Sequence, residues 1–247
     1  MRVLVAGSHG KIGRRLVGLL AEHGYRPVAM IRDPEQAAEL RDLGGEPLVA
    51  NLEGDLEAVT EGCDAVVYTA GAGAGSGAAK KETVDRQGAE KLIESALRHG
   101  VGRFVIVSSM GADAPDEGPE QMRPYYAAKR AADDALAASG LDYTIVRPGQ
   151  LTDEPGDGRV SAALSLGRSG QVSRGDVAAV LVACLGDGRT VARPSSCSTA
   201  TPRSARHWRA CDSGGRRART GRSAGGSRGR PYQRRQLPDR RLPDRAA

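Results

Sequence analysis

The sequence predicts an α/β protein built on a doubly wound, Rossmann-type parallel sheet with helices on both faces. Residues Arg2 to Ala6 form a short apolar run led by valines, which predicts a buried strand, and a glycine turn and a helical pattern follow it at once. Helix, glycine and strand then recur in that order at Gly24, Gly100 and Gly140. Strands that alternate with helices are joined by right-handed crossovers, and they therefore form a parallel sheet.

Each predicted element follows from its apolar pattern and its caps. Ile12, Leu16 and Leu20 share one face of the first helix, and Asp33-Pro34 is typical of an N-cap followed by the first helical residue. Strands are expected at residues 2–6, 25–31, 46–49, 65–68, 103–107 and 142–146. Helices are expected after the first glycine turn, from residue 33 to the glycines at 44–45, through 56–59, and over 83–99, 124–138 and 176–185.

The basic charge of the chain is confined to its C-terminal part. The formal net charge is +6, yet the residues from Val191 onward contain 15 Arg, no Lys and 3 Asp, so the preceding residues are acidic overall. No apolar run approaches the length of a membrane span and the N-terminus reads as a strand, so we expect a cytoplasmic protein without a membrane partner. The four cysteines lack metal-ligand spacing, which favours reduced thiols and no metal site.

We expect one domain over residues 1–190 and a disordered, arginine-rich tail over 191–247. The tail lacks Lys, Ile and Met, a bias typical of GC-rich coding DNA that is read out of frame. Regrouping the possible codons of Pro194 to Asp212 from their third bases permits a strand, an Asp-Gly-Asp turn and an N-capped helix before a stop codon. The tail is therefore interpreted as a frameshift product, and an in-frame tail that binds nucleic acid is the disfavoured alternative.

The first glycine turn predicts a phosphate-binding site. Its spacing is G-x-x-G-x-x-G, and it lies between a strand and a helix, where glycines let the backbone approach a pyrophosphate and the helix N-terminus faces the anion. Gly13 would let the helix pack close to the strand. The predicted cofactor residues of this turn are Gly7, Ser8, Gly10, Lys11, Ile12 and Gly13.

Arg32 indicates which dinucleotide is bound. It follows the second strand, where an acidic residue would accept hydrogen bonds from a ribose 2′-hydroxyl, whereas an arginine suits a 2′-phosphate. We therefore expect NADP(H), with NAD as the less favoured cofactor. Ala70 and Gly71 follow the fourth strand, and such small residues leave room for the adenosine part of the cofactor.

Hydroxyl groups and a lysine are predicted to form a catalytic group. Ser108 and Ser109 end the fifth strand, and Tyr125 and Lys129 have the Y-x-x-x-K spacing that places both side chains on one helix face. A lysine beside a phenol is expected to lower the phenol's pKa, which suits a general acid. Tyr126 is a competing phenol.

These motifs, together with Val107-Ser108-Ser109-Met110-Gly111-Ala112 and Arg147-Pro148-Gly149, resemble the atypical short-chain dehydrogenase/reductase family, in its NAD(P)H-binding, NmrA-like branch. The resemblance covers roughly residues 1–190. It implies that the glycines bind the pyrophosphate, Arg32 the 2′-phosphate and Lys129 the nicotinamide ribose. It also implies that the segment after Pro148 borders the nicotinamide and the substrate.

Two function classes follow. The first is an NADPH-dependent reductase of a small carbonyl, quinone or flavin-like acceptor, in which Tyr125 donates the proton and Ser108 or Ser109 polarises the acceptor oxygen. The second is a non-catalytic NADP(H)-binding regulator that senses redox state, which the resemblance also allows. The sequence identifies neither the acceptor nor the oligomeric state.

Overall fold

The computed structural model describes residues 1–73, 75–166, 170–186, 193–198 and 206–209, the last two segments as strands of which only the backbone is considered. Met1–Ser213 forms one compact unit. The remaining unit, Gly214–Ala247, lies outside the described residues.

The described strands form a large sheet and a small one. They are β1 (Arg2–Ala6), β2 (Arg26–Ile31), β3 (Glu46–Val49), β4 (Ala65–Tyr68), β5 (Arg103–Val107), β6 (Tyr143–Pro148), β7 (Gln150–Thr152), β8 (Arg159–Ala163), β9 (Gln171–Ser173), β10 (Arg193–Ser198) and β11 (Arg206–Arg209). The large sheet has the order β11-β8-β10-β6-β5-β4-β1-β2-β3, and β7 pairs with β9 in the small one. The run from β3 to β6 is parallel and has the strand order of a Rossmann fold, which confirms the predicted fold class.

The helices cover both faces of this sheet. They are α1 (Lys11–Glu22), α2 (Ala37–Asp42), α3 (Ala78–Lys80), a π-helical segment (Lys81–Gln87), α4 (Gly88–Arg98), α5 (Arg123–Ala138) and α6 (Arg174–Gly186). Side chains alternate along β1, so Val3 and Val5 face α1 and α6 whereas Leu4 and Ala6 face α4 and α5. The protein therefore has two buried cores, one on each side of the sheet.

Two predicted helices differ in the structure. Residues 56–59 form turns. Asp55 Oδ1 accepts the Glu57 N–H at 2.8 Å, and the chain continues to Cys63 in turns whose backbone hydrogen bonds join residues i and i+3. The helix predicted over 83–99 begins earlier, at Ala78, and Lys81–Gln87 within it is π-helical. A short π-helical segment leaves no sequence period that distinguishes it from an α-helix, and such segments occur frequently at functional sites.

The structure also contains strands that the sequence analysis missed. β7, β8 and β9 follow Pro148, and β8 pairs antiparallel with both β10 and β11, at the edge of an otherwise parallel sheet. β10 and β11 fall inside the segment that was expected to be disordered from Ala192 onward, and β10 pairs parallel with β6. The other residues of that tail lie outside the described residues, and the frameshift stays a prediction.

Two further expectations concern thiols and membranes. Cys63 is a buried free thiol, as predicted, Cys184 is also buried, and the side chains of the other two cysteines lie outside the described residues. Among the described residues, no helix has the length and hydrophobicity that crossing a membrane requires.

Candidate functional site

The glycine turn after β1 brings backbone segments closer together than side chains would allow. Gly7 has a φ of +83°, and a Cβ on it would lie 2.7 Å from the backbone of Ala70. A Cβ on Gly13 would lie 2.2 Å from the Gly7 carbonyl oxygen. The turn therefore requires glycine at both positions, as the sequence predicted.

The N-terminus of α1 is open to an anion. Gly10 is its N-cap, no side chain caps it, and its first turn contains no acidic residue. Its first backbone N–H groups therefore retain the positive potential of the helix dipole, while the exposed Gly10 allows a phosphate to approach.

Two predicted residues of this turn already have protein partners. The buried Ser8 donates its hydroxyl proton to the Met30 carbonyl oxygen at 2.7 Å, so its side chain ties the turn to β2. Lys11 Nζ lies 2.6 Å from Asp153 Oδ2, and Arg174 at the start of α6 pairs with the other oxygen of Asp153. Lys11 is therefore held by a carboxylate that lies beyond β7.

Arg32 follows β2, as predicted, and its side chain is exposed. No ion pair or hydrogen bond to it is found within the described part of the chain. The neighbouring Asp33 caps the turn Pro34–Gln36 by accepting the Glu35 N–H at 3.0 Å. Because Asp33 has this structural partner, Arg32 is the charged group at this strand end that stays available to a ligand.

A cavity of about 1480 Å³ lies over the carboxyl ends of β4, β5 and β6. That volume exceeds the roughly 300–1,000 Å³ of ordinary small-molecule pockets, so it leaves room for an acceptor beside one end of a cofactor. The predicted site residues that line it are Ile12, Ala70, Gly71, Ser108, Ser109, Tyr125, Lys129 and Pro148. The other predicted cofactor residues, including Arg32, are outside its lining.

Lys129 is buried beneath this cavity in a cage of acceptors. Its Nζ lies 3.2 Å from the Ala70 carbonyl oxygen, 3.1 Å from that of Val107 and 3.1 Å from Asp85 Oδ1. Burial alone would lower the pKa of Lys129, but the neighbouring Tyr125 and Asp85 outweigh it and raise that pKa. Lys129 is therefore charged: it donates hydrogen bonds to the two carbonyl oxygens, and Asp85 is its counter-ion.

Asp85 is a site residue that sequence reasoning missed. The π-helical segment carries it into the core, where it is fully buried and its Oδ2 accepts the Ala72 N–H at 3.0 Å. It thus connects the loop after β4 to Lys129 on α5. An aspartate within a helix carries no signal of its own, so only the three-dimensional structure reveals this pair.

The structure corrects the predicted effect of Lys129 on Tyr125. The Nζ of Lys129 lies 5.9 Å from the centre of the Tyr125 ring. Burial raises the pKa of Tyr125 above its ordinary value, and the attraction of Lys129 offsets only part of this. The phenol therefore stays protonated at neutral pH, whereas the sequence analysis expected a lowered pKa.

Ser108 belongs to a second buried charge group that was also missed. Its hydroxyl donates to Asp133 Oδ2 at 2.8 Å, and the same oxygen accepts from Arg147 Nε at 3.0 Å. Arg147 continues to Asp113 at the cavity wall. Burial raises the pKa of Asp133, although Arg147 and Ser108 oppose that shift. Asp133 lies four residues after Lys129, and that spacing on the buried face of α5 was the available signal.

The two predicted serines therefore differ. The hydroxyl proton of Ser108 is donated to Asp133, so it is not available to a substrate oxygen. The half-buried Ser109 lines the cavity and has no hydrogen-bond partner among the described side chains. Tyr126 lines the same cavity, and its ring centre lies 5.6 Å from that of Tyr125.

The strand order, the open helix N-terminus after a glycine turn, and a cavity at the carboxyl ends of the strands define a dinucleotide-binding Rossmann protein. Comparison with known proteins agrees. The family model for NAD(P)H-binding proteins matches residues 7–188. The chain belongs to this NAD(P)H-binding family of Rossmann-fold oxidoreductases, as the resemblance to NmrA-like short-chain dehydrogenases predicted.

Three relatives illustrate the match. An uncharacterized sugar epimerase of Bacillus subtilis, YhfK, is 45% identical over 194 residues, which are 77% of this chain and 90% of the relative. A solved structure of a candidate NAD-dependent epimerase/dehydratase from Bacillus halodurans is 42% identical with a TM-score of 0.79, covering 81% of this chain and 94% of its own. The oxidoreductase ylbE of Lactococcus lactis is 26% identical with a TM-score of 0.73, covering 81% and 91%.

Proposed function

We propose that this protein is a cytoplasmic, NADPH-dependent reductase of a small carbonyl, quinone or flavin-like acceptor. The observation that carries the proposal is the position of Tyr125, a protonated phenol that lines the cavity beside the charged Lys129. A phenol that keeps its proton at neutral pH is in the form that a general acid requires.

The residues at the first two strand ends fit the cofactor. The uncapped first turn of α1 and the exposed Gly10 suit a pyrophosphate, and the exposed Arg32 suits a 2′-phosphate. Ala70 and Gly71 would lie beside the adenosine part, and Ile12 and Pro148 beside the rest of the cofactor. When bound, NADPH would supply a hydride.

The chain's own residues would supply the proton and orient the acceptor. Tyr125 would donate its phenolic proton to the acceptor oxygen and recover it from solvent, so that a carbonyl becomes an alcohol. Ser109, whose hydroxyl makes no hydrogen bond within the described part of the chain, would donate a hydrogen bond to the same oxygen. Lys129 would stabilise the developing phenolate by its positive charge.

A second candidate is a regulator that binds NADP(H) without turnover. One observation favours it: the buried Lys129 already donates to the carbonyl oxygens of Ala70 and Val107 and is ion-paired with Asp85, so protein groups surround its ammonium group. In this alternative, Lys129 stabilises the cavity floor and the cofactor changes the surface that a partner recognises.

A screen of aldehyde, quinone and flavin acceptors, read by the loss of nicotinamide absorbance, distinguishes the two candidates. We expect acceptor-dependent oxidation of NADPH, and we expect Tyr125→Phe to lower kcat by about 10²-fold or more with little change in NADPH binding.

Tyr126→Phe is the matched control, because it removes the neighbouring phenol from the same cavity wall. It should turn over at nearly the wild-type rate. NADPH binding without turnover of any acceptor would favour the regulator, and loss of activity in Tyr126→Phe alone would reassign the proton donor.

A further inference from the structure

The charged groups around the cavity do not balance. Four charged residues are found among its described lining residues: Lys81, Asp113, Lys129 and Arg174. Three of them are ion-paired, Asp113 with Arg147, Lys129 with Asp85 and Arg174 with Asp153. Within the described part of the chain, no carboxylate pairs with Lys81 and no hydrogen bond to its side chain is found.

The neighbouring Lys80 differs from Lys81 both in exposure and in ion pairing. Lys80 is more exposed, and it pairs with Glu53 on the outside of the helix, where Thr83 donates to the same carboxylate at 2.8 Å. Lys81 is half-buried and lines the cavity. One uncompensated positive charge therefore belongs to the cavity, in a setting that screens it less than open solvent does.

Lys81 lies close to the proposed reaction centre. It begins the π-helical segment, and Asp85, four residues later, contacts Lys129. Lys81, Tyr125 and Lys129 all line the same cavity, so the charge of Lys81 faces the space that holds the proposed proton donor.

Part of the cavity lining is apolar or aromatic. Met110, Met122, Tyr126 and Leu166 line the same cavity. The anions of the cofactor have other partners in the proposed function, because the pyrophosphate lies at α1 and the 2′-phosphate at Arg32. The π-helical segment that begins with Lys81 instead packs with α5, the helix that carries Tyr125.

We propose that Lys81 binds an acidic group of the acceptor, a carboxylate or a phosphate, while the reducible carbonyl lies at Tyr125 in the same cavity. The acceptor is thus an apolar or aromatic molecule with an anionic end. This inference rests on the proposed reductase function and adds the chemical class of its substrate.

A matched pair of acceptors tests the inference in the full-length protein. Lys81→Met should raise KM for para-carboxybenzaldehyde about fivefold to tenfold, because a charge-assisted hydrogen bond is lost from a half-exposed position. KM for para-nitrobenzaldehyde and for NADPH should change less than about twofold. Added salt should raise the wild-type KM for the acid alone, and this dependence should disappear in Lys81→Met.

Lys80→Met is the control, and it should leave all three KM values unchanged; Lys81→Arg should retain the preference for the acid. An equal effect of Lys81→Met on both aldehydes, or an effect confined to NADPH, would overturn the inference.

Binding separates a failure of this inference from a failure of the proposed function. If neither aldehyde is reduced, titration calorimetry of the NADP-saturated protein compares benzoate with benzamide. Tighter binding of benzoate that is lost in Lys81→Met supports the anion site without any turnover. Equal binding of the two compounds refutes it.

Discussion

The two halves of the ligand edge of this sheet are built in different ways. At β1 and β2, which we call the backbone-built half, the site consists mainly of backbone, in a glycine turn and an uncapped helix N-terminus, together with one exposed arginine side chain. At β4, β5 and β6, which we call the charge-built half, it consists of buried side-chain charges, Lys129 with Asp85 and Arg147 with Asp133. A site made of backbone leaves a glycine pattern in the sequence, whereas a site made of paired charges leaves residues that are scattered along the chain.

The difference follows from what each half does in the proposed function. A pyrophosphate is recognised by N–H groups that every residue has, so its site needs only the absence of side chains. A proton donor needs a phenol at a fixed distance from a positive charge, and a buried charge needs a counter-ion to remain stable. The second half therefore depends on pairs that only the folded chain brings together.

The largest expected effect is on the charge-built half. Asp85→Asn leaves Lys129 buried without its counter-ion and should lower the free energy of unfolding by about 3–5 kcal/mol, measured in urea. The double variant Asp85→Asn with Lys129→Met should be less destabilised than Asp85→Asn alone. Because the pKa of Lys129 is raised, its stabilisation is complete below the ordinary lysine pKa and is lost only as the pH rises through the raised value.

Asp134→Asn is the control for this comparison. Asp134 is exposed on the same helix and pairs with Arg130 at 2.8 Å, so its loss should cost less than about 1 kcal/mol. Similar losses at Asp85 and Asp134 would show that the buried pair does not hold this half together.

The backbone-built half should tolerate no side chain at Gly13. Gly13→Ala places a Cβ against the Gly7 carbonyl oxygen and the Ser8 backbone, and it should cost about 1–3 kcal/mol together with most of the NADPH affinity. Gly18 lies in the same helix, but its Cβ would meet only Leu43 at 3.8 Å. Gly18→Ala should therefore be neutral or stabilising by up to about 1 kcal/mol. Equal behaviour of the two variants in thermal unfolding and NADPH titration would contradict this account of the turn.

Substituting Arg32 is expected to change stability least of all, because its expected effect is on the affinity for NADPH relative to NADH. Arg32→Ala should weaken NADPH binding about tenfold, leave NADH binding unchanged and leave unfolding nearly unaffected, because no ion pair or hydrogen bond of this exposed side chain is found among the described residues. Fluorescence titration with both cofactors measures this. An equal affinity of the wild-type protein for NADPH and NADH would remove the proposed role of Arg32.

The sequence predicted the parallel core of the fold for a physical reason. β1, β4 and β5 are largely apolar, buried segments, and their predicted bounds and those of β3 match the structure. β7, β8 and β9 are short or mixed in polarity and are defined by pairing with distant residues, as for Gln150 with Gln171, so no local pattern marks them. The π-helical segment is invisible for the same reason, since it depends on the packing that buries Asp85.

The site could be predicted in part. Eight predicted residues line one cavity, because strand ends in a parallel sheet meet at the same edge. The sequence left Ser108 and Ser109 as alternatives, and the distinction needed Asp133, which accepts the proton of Ser108. The direction of the Tyr125 pKa also required the structure, since burial is a property of the fold.

Tyr126 shows how the cavity could change its size without losing its proposed proton donor. Its ring occupies space that two glycines from separate turns leave open: a Cβ on Gly111 would lie 2.4 Å from the ring, and one on Gly118 would lie 2.6 Å from it. A smaller residue at position 126 would enlarge the cavity, and alanine at 111 would fill part of the space that the Tyr126 ring now occupies. Neither change alters Tyr125. This trio of residues is thus a natural adjustment point for substrate range, both for evolution and for engineering.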